Sequence, residues 1–311
     1  MDETPGGQNG KNEPGRDKIK RSHMKILLIG ADGQLGTDIQ KVMTDQELIP
    51  LTISDIDVTK KESVSAVIGK HKPDVVINTS AFHRVDDCEE KDELAFAVNA
   101  FGVKNLCLAC RENDATLLHI STDYVFDGMK GKPYLETDCP NPGTVYGISK
   151  LAGELYARYM LKKHFVVRTC GLFGVAGCLG KGGGNFIESM LKLAKEKPVL
   201  RVVSDQIVGP TYTLDLARKI SELIKTQQYG LYHVTNKGAC SWYDFAKKIF
   251  ELTGTKVKME KATTSEFKSK ATRPAYSVLE HGSLKKIGLD DMRTWDKALE
   301  AYLEEKKRIN G

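Results

Sequence analysis

Apolar residues recur along the first half of the chain in short, nearly unbroken runs. Each run is followed by a segment whose apolar positions fall at helical spacing. The runs are Lys25 to Ile29, Leu48 to Ile53, Asp74 to Asn78, Thr116 to Ile120 and His164 to Arg168. Runs this short and continuous are what parallel strands covered on both faces require. Between them the pattern predicts helices from the glycine turn to about Met43, over Thr59 to Lys70, over Asp92 to Asn113, and across the segment that carries Tyr146. Strand and helix in strict alternation predict an α/β fold with a doubly wound parallel sheet.

The second half is less regular. It predicts helices over Asn185 to Glu196, Tyr212 to Lys225, Ser241 to Phe250 and Asp296 to Lys307, and strands over Val199 to Val203 and Gly230 to Val234. Thr213 opens the second of these helices with Asp215 in its first turn, and Ser241 with Asp244 has capping-box spacing in the third. Residues 24–170 plus part of 200–235 are expected to form a dinucleotide-binding domain, and 171–199 with 236–311 a smaller C-terminal α/β lobe for substrate. Residues 1–23 are rich in Gly, Pro, Asn and charge and read as a disordered leader, or as an added tail ending in Arg21-Ser-His-Met24.

Composition narrows the function classes. With 311 residues and 41% hydrophobic content the chain can bury a sizeable core. No run in the sequence reads as a membrane span or a secretory leader, so a soluble cytoplasmic protein is expected, with no membrane partner. The net charge of +5 is spread out rather than gathered into a basic stripe, which argues against nucleic acid and leaves room for a small anionic ligand. Seven cysteines without metal-ligand spacing fit a reducing compartment, and no metal is expected. Cys107 and Cys110 do form a C-x-x-C, but within an apolar helical segment, where buried thiols are expected.

The first strand leads at once into Gly30-Ala-Asp-Gly33-Gln34-Leu35-Gly36 and then a helix. Glycines in that context allow a tight turn and let a pyrophosphate approach the helix N-terminus, where free N–H groups and the dipole favour negative charge. The second strand ends in Ser54-Asp-Ile-Asp57-Val58, placing carboxylates where a ribose or adenine contact is expected. Asp55 near the ribose would disfavour a 2′-phosphate. Asp57 has two readings, a cofactor contact or a cap on the next helix. Ala81-Phe82-His83 follows the third strand at its carboxyl end, where ligands bind in such sheets, although His83 also reads as a solvated loop histidine.

The fourth strand delivers Ser121-Thr122-Asp123, and Asn141-Pro142 marks the entry to the helix bearing Tyr146 and Lys150. At i, i+4 the phenol and the ammonium share one helix face, where the cation can stabilise a phenolate; an isolated pair of this kind also occurs on ordinary solvated faces.

These segments together resemble the extended short-chain dehydrogenase/reductases, with their G-x-x-G-x-x-G loop and Ser/Thr, Tyr-x-x-x-Lys set. More narrowly they resemble the dTDP-4-dehydrorhamnose reductases, through Ser121-Thr-Asp-Tyr-Val-Phe-Asp-Gly128, Arg201-Val-Val-Ser-Asp-Gln206 and Pro210-Thr-Tyr-Thr-Leu-Asp-Leu-Ala217. The resemblance runs from Met24 to the C-terminus. It implies a Rossmann-like fold, NADPH or NADH as cofactor, a nucleotide-sugar substrate and a homodimer. Tyr146 would be the acid that protonates a 4-keto group, Thr122 would orient the carbonyl, and Lys150 would lower the Tyr146 pKa and hold the nicotinamide ribose. Asp123, Gly171, Asn185 and Arg273 would face the substrate, Arg273 at its diphosphate unless a surface salt bridge claims it. Many family members carry a tryptophan where this chain has Gly171, and Trp242 reads as a packing residue. The glycine-rich stretch from Ala176 to Gly184 reads as a mobile loop over the substrate or a passive linker. Two other functions share these motifs: a nucleotide-sugar epimerase, and a non-catalytic NADP-binding regulator like the methionine adenosyltransferase β subunit.

Overall fold

The structure, a computed structural model, describes residues 23–177 and 184–310. The expected leader, but for His23, and the centre of the glycine-rich stretch with Cys178 lie outside the described residues.

The chain begins with β1 (Lys25–Ile29), α1 (Gln34–Val42), β2 (Glu47–Leu51), α2 (Lys61–His71) and β3 (Val75–Asn78). A short α3 (Val85–Cys88) precedes α4 (Asp92–Phe96), a π-helical turn over Ala97–Phe101 and α5 (Gly102–Glu112). Then come β4 (Thr116–Thr122), a 3-10 turn (Asp123–Val125), α6 (Val145–Met160) and β5 (His164–Thr169). With the later β10 (Gly230–His233) these strands form a six-stranded sheet in the order β10-β5-β4-β3-β1-β2, every pairing parallel. The order reverses between β1 and β3, which opens a crevice at the carboxyl ends of the two strands.

Alternate residues of β1 serve opposite faces. Ile26 and Leu28 pack with Leu35, Ile39, Leu216 and Ile220, whereas Leu27 and Ile29 pack with Val64, Ile68, Val103 and Leu106. Each fully buried aliphatic side chain contributes about 1.5–3 kcal/mol, so a strand apolar on both faces holds helices on both.

Between β5 and β10 lie β6 (Leu172–Phe173), α7 (Phe186–Glu196), β7 (Val199–Val203), β8 (Ile207–Val208), β9 (Thr211–Tyr212) and α8 (Thr213–Leu223). The chain closes with β11 (Cys240–Ser241), α9 (Trp242–Thr253), β12 (Lys258–Ala262), α10 (Gly282–Lys286) and α11 (Trp295–Asn310). Most of these later elements gather around an aromatic core of Phe173, Tyr212, Phe245 and Tyr302, with β12 parallel to β7, whereas α8 packs on α1 and puts Leu216 and Ile220 into the core of the main sheet. Leu284 and Met292 likewise join the core of the main sheet.

Several boundaries differ from the sequence expectation for physical reasons. β4 runs on through Ser121 and Thr122 because their backbones pair with Arg168 and Thr169. β2 stops at Leu51, since Asp55 accepts from both the Thr52 N–H (2.8 Å) and hydroxyl (2.9 Å) and turns the chain, leaving Ile53 71% exposed. α2 starts two residues late because Asp57 takes the Thr59 N–H and hydroxyl into a turn. Thr213 opens α8 without capping it, its hydroxyl being given to Asp38 at 2.5 Å. Pro142 sits ahead of the Thr144 N-cap of α6 rather than in its first turn. The Ser241/Asp244 capping box forms on α9. β12 carries three charged residues in five and gave no strand signal.

The segment Asp92–Glu112 is one helical rod of 21 residues, long and apolar enough by composition to cross a membrane, contrary to the sequence reading. Its apolar positions are explained inside the fold, where α5 packs against α2 and α6. The π turn rotates Asn99 inward, where its amide accepts the Phe82 N–H at 2.9 Å and donates to the Phe82 carbonyl and the Ser149 hydroxyl.

Candidate active site

Every site residue expected from the sequence, Gly36 and Asp55 excepted, lines one cleft of about 1090 Å³ at the carboxyl ends of the sheet strands. One end is the glycine turn. Gly30 has φ +82°, and a Cβ there would lie 2.7 Å from the Thr79 hydroxyl. A Cβ on Gly36 would lie 2.2 Å from the Gly30 carbonyl, so that glycine does not face the cleft but lets α1 seat against the turn. Gly33 is the N-cap of α1, with no side-chain cap and no acid in the first turn, so the positive end of the helix stands bare beside the cleft. Gln34 and Leu35 line it, and Gln34 Oε1 is buried without a partner. A tight turn closed by glycines and an uncapped helix end with free N–H groups at the cleft fit the diphosphate of a dinucleotide.

Asp57 and Val58 line one wall of the cleft; Asp57 holds Thr59 and Lys60 in the turn before α2, whose N-cap is Lys60 with no side-chain cap, so this carboxylate does not cap that helix. Asp55 is not on that wall; its carboxylate is folded back on Thr52 and does not guard a 2′ position. Ala81, Phe82 and His83 line the cleft above β3, with His83 Nδ1 3.3 Å from the Ala81 carbonyl.

Thr122, Tyr146 and Lys150 all line the same cleft. α6 reaches that place because Thr144 caps it, accepting the Gly147 N–H at 3.0 Å, and because Gly147 lets the helix close on the 3-10 turn: a Cβ there would lie 2.2 Å from the Tyr124 carbonyl. The Tyr146 ring meets Tyr124 edge to face, centroids 5.7 Å apart. Burial raises the phenol pKa; the Thr122 hydroxyl opposes that rise, and Asp123 and Cys88 add to it.

Lys150 is buried. It donates to the Ile120 carbonyl at 2.6 Å and lies 3.3 Å from His119 Nε2. Burial pulls its pKa down to about 7, against the pull of Glu154. The expectation that Lys150 lowers the Tyr146 pKa is therefore not met in this geometry, because the ammonium turns inward and the phenol is raised.

Asp123 is buried beneath Thr122, accepting from its hydroxyl (3.0 Å) and from the Cys170 thiol (3.0 Å); burial raises its pKa. Gly171 has φ +55°, and a Cβ there would lie 3.6 Å from the Trp242 indole. Trp242 packs on Phe186 and also lines the cleft, so the packing role read from the sequence is only half of it. Asn185 caps α7 through Oδ1 and spends Nδ2 on the Gly174 carbonyl and Tyr302, which leaves its amide little to offer a ligand. Arg273 pairs with Asp86 at 2.6 Å through Nη2, as the salt-bridge reading had it, yet its Nη1 is buried without a partner at the cleft wall.

Sequence reasoning missed His119, Asn78, Ser80, Cys170 and Ser277. The available signals were polarity within otherwise apolar strands for Asn78 and His119, a place just after a strand for Ser80 and Cys170, and a position four residues after Arg273 for Ser277. Cys107 and Cys110 are buried in α5 as expected, burial pushing Cys107 up to about 12. Among the described residues no group of His, Cys, Asp and Glu could hold a metal.

The RmlD substrate binding domain family matches residues 24–308. The spore coat polysaccharide biosynthesis protein SpsK of Bacillus subtilis is 42% identical over 91% of this chain and 98% of its own length. The dTDP-4-dehydrorhamnose reductase of Aggregatibacter actinomycetemcomitans is 38% identical over 90% of this chain and 99% of its own. Among solved structures, the Bacillus anthracis dTDP-4-dehydrorhamnose reductase in complex with NADP superposes with a TM-score of 0.87 at 38% identity, covering 91% of this chain and 99% of that one. Matched over residues 24–308 and more than 30% identical to these relatives across nine-tenths of its length, the chain belongs to the RmlD substrate binding domain family.

Proposed function

We propose that the protein is an NAD(P)H-dependent reductase of the 4-keto group of a nucleotide-linked deoxysugar, and specifically a dTDP-4-dehydrorhamnose reductase yielding dTDP-L-rhamnose. The observation that carries this reading is that Thr122, Tyr146 and Lys150 line the same cleft as a glycine turn and bare helix end suited to a diphosphate. When bound, the reduced nicotinamide supplies hydride to the carbonyl carbon. Gly30, Gly33, Gln34 and Leu35 hold the cofactor diphosphate, Gly36 seats the helix behind them, and Asp57, Val58, Ala81, Phe82 and His83 flank its adenosine and ribose. Lys150 steadies the nicotinamide ribose. Tyr146 donates the proton to the developing alkoxide, and its raised pKa keeps that proton in place until the transfer. Thr122 orients the carbonyl.

On the substrate side, Asp123 and the space over Gly171 receive the sugar, with the Trp242 indole as a wall. The free Nη1 of Arg273 suits the substrate diphosphate. Residues 24–170 plus part of 200–235 act as the dinucleotide-binding domain, and the rest as the substrate lobe, with Leu284 and Met292 anchoring it to the main sheet. The free cysteines among the described residues suit a reducing, cytoplasmic setting. A homodimer is supported by Leu94, Phe101, Ile148, Leu155 and Tyr159, large apolar residues exposed on the adjoining α4, π turn and α6.

The test is reduced-nicotinamide absorbance in a mixture of protein, NADPH and dTDP-4-dehydro-6-deoxy sugar, beside a panel of UDP-linked 4-keto sugars. Steady oxidation supports the reductase, and its loss in Tyr146→Phe with dinucleotide binding retained supports the assigned acid. Epimerised sugar without net oxidation would overturn the reading in favour of an isomerase.

A further inference from the structure

We propose that His119 is a positioning residue: locked by Asn78 with its Nε2–H aimed at Lys150, it dictates whether that lysine holds its proton. Asn78 and His119 are direct cross-strand partners near the carboxyl ends of β3 and β4, both buried, on the face that α6 covers. Asn78 Oδ1 accepts the Ser80 N–H at 3.1 Å and the Ser80 hydroxyl at 2.6 Å. A backbone N–H can only donate, so the amide cannot be turned round; its Nδ2 must be the atom 3.2 Å from His119 Nδ1. An Nδ1 that accepts carries no hydrogen. The neutral imidazole, kept neutral by burial, therefore bears its hydrogen on Nε2, which lies 3.3 Å from Lys150 Nζ.

That arrangement discriminates between the two states of the lysine. An ammonium has only donors, so against an Nε2–H it meets a donor with a donor. The neutral amine has a lone pair that the Nε2–H can fill, and in either state one lysine hydrogen goes to the Ile120 carbonyl. Other charges around Lys150 are already committed. Glu154, one turn on along α6, is held by Arg168 from β5 at 2.8 and 2.6 Å and by Ser121 from β4 at 2.5 Å. Tyr146 on α6 is uncharged, and the π turn brings the Asn99 carbonyl close against Gly153. Lys150, drawn down to about 7, is thus poised to gain and lose a proton in the neutral range instead of standing as a permanent cation. The consequence for turnover rests on the reductase reading; the state of the lysine does not.

The experiment therefore reads the lysine directly. The full-length protein, free of cofactor, is labelled with 13C at lysine Cε and titrated by NMR, with the Lys150 signal assigned by its absence in Lys150→Arg. Wild type is expected to titrate close to neutrality. His119→Gln offers the lysine an amide oxygen, and Asn78→Asp turns the imidazole so that Nε2 accepts; each is expected to raise the Lys150 midpoint by about one pH unit or more, roughly tenfold in proton affinity. A wild-type midpoint in the ordinary lysine range overturns the proposal. So does an unchanged midpoint in whichever of the two variants retains the wild-type fold by circular dichroism, because burial alone would then account for the shift. These results are independent of whether any sugar is reduced.

Discussion

Arg168 and Glu154 meet fork to fork directly behind the active site, at 2.8 and 2.6 Å, with both side chains sealed from solvent. Ser121 donates to the same carboxylate and the Phe126 ring covers the guanidinium, 5.0 Å away. The pair ties α6 to β5 and so fixes the height at which Lys150 and Tyr146 enter the cleft. Glu154→Gln would leave the Arg168 charge buried and uncompensated, and a loss of about 3–5 kcal/mol in urea unfolding is expected. A Glu154→Leu, Arg168→Met double variant should recover most of that loss, since two apolar side chains leave no stranded charge.

Gly147→Ala should damage catalysis more than stability. Its Cβ would fall 2.2 Å from the Tyr124 carbonyl and 2.9 Å from Pro142, so α6 must retreat from the turn that follows Thr122. A misplacement near 1 Å costs on the order of 100-fold in rate. Steady-state kinetics should show kcat falling by that order, whereas Gly143→Ala, where a Cβ meets nothing within 4 Å, should leave kcat unchanged.

His233 makes stability depend on pH. Burial first, and then the neighbouring Arg168, hold its pKa down to about 3. Between that value and the unfolded value of about 6.5 the unfolded chain binds a proton that the native one does not, so stability falls as pH falls through this window. The slope approaches about 1.4 kcal/mol per pH unit for such a group. Urea unfolding at a series of pH values should show it, and His233→Gln should reduce it without abolishing it, since burial also lowers His119 and His164; the same slope in both proteins would count against this source.

Trp242→Ala is expected to raise KM for the nucleotide sugar by about tenfold or more, the loss of one aromatic wall, with Kd for the dinucleotide unchanged. The indole lines the cleft and lies 3.6 Å from where a Cβ on Gly171 would stand. A change confined to dinucleotide affinity would contradict this placement.

The sheet and the cofactor loop could be read along the chain because their determinants are local. An apolar pentapeptide such as Lys25–Ile29 specifies a buried strand by its own composition, and Gly30, Gly33 and Gly36 shape a turn through neighbours a few residues away. The i, i+4 spacing of Tyr146 and Lys150 likewise predicts a shared helix. Strand β12, rich in charge, exists only because β7 offers it an edge.

What each polar side chain does with its hydrogen bonds was decided elsewhere. Lys150 turns to His119 and Ile120 rather than to Tyr146, Arg273 gives one arm to Asp86 and keeps one free, Asn185 is consumed in capping α7, and Asp55 folds back on Thr52. The Asn78–His119 contact depends on the register of two strands 41 residues apart in sequence. Local pattern determines which element a residue joins and which way it faces. A buried donor or acceptor takes whichever partner sheet order and helix packing bring within about 3 Å, and only the tertiary structure makes that selection.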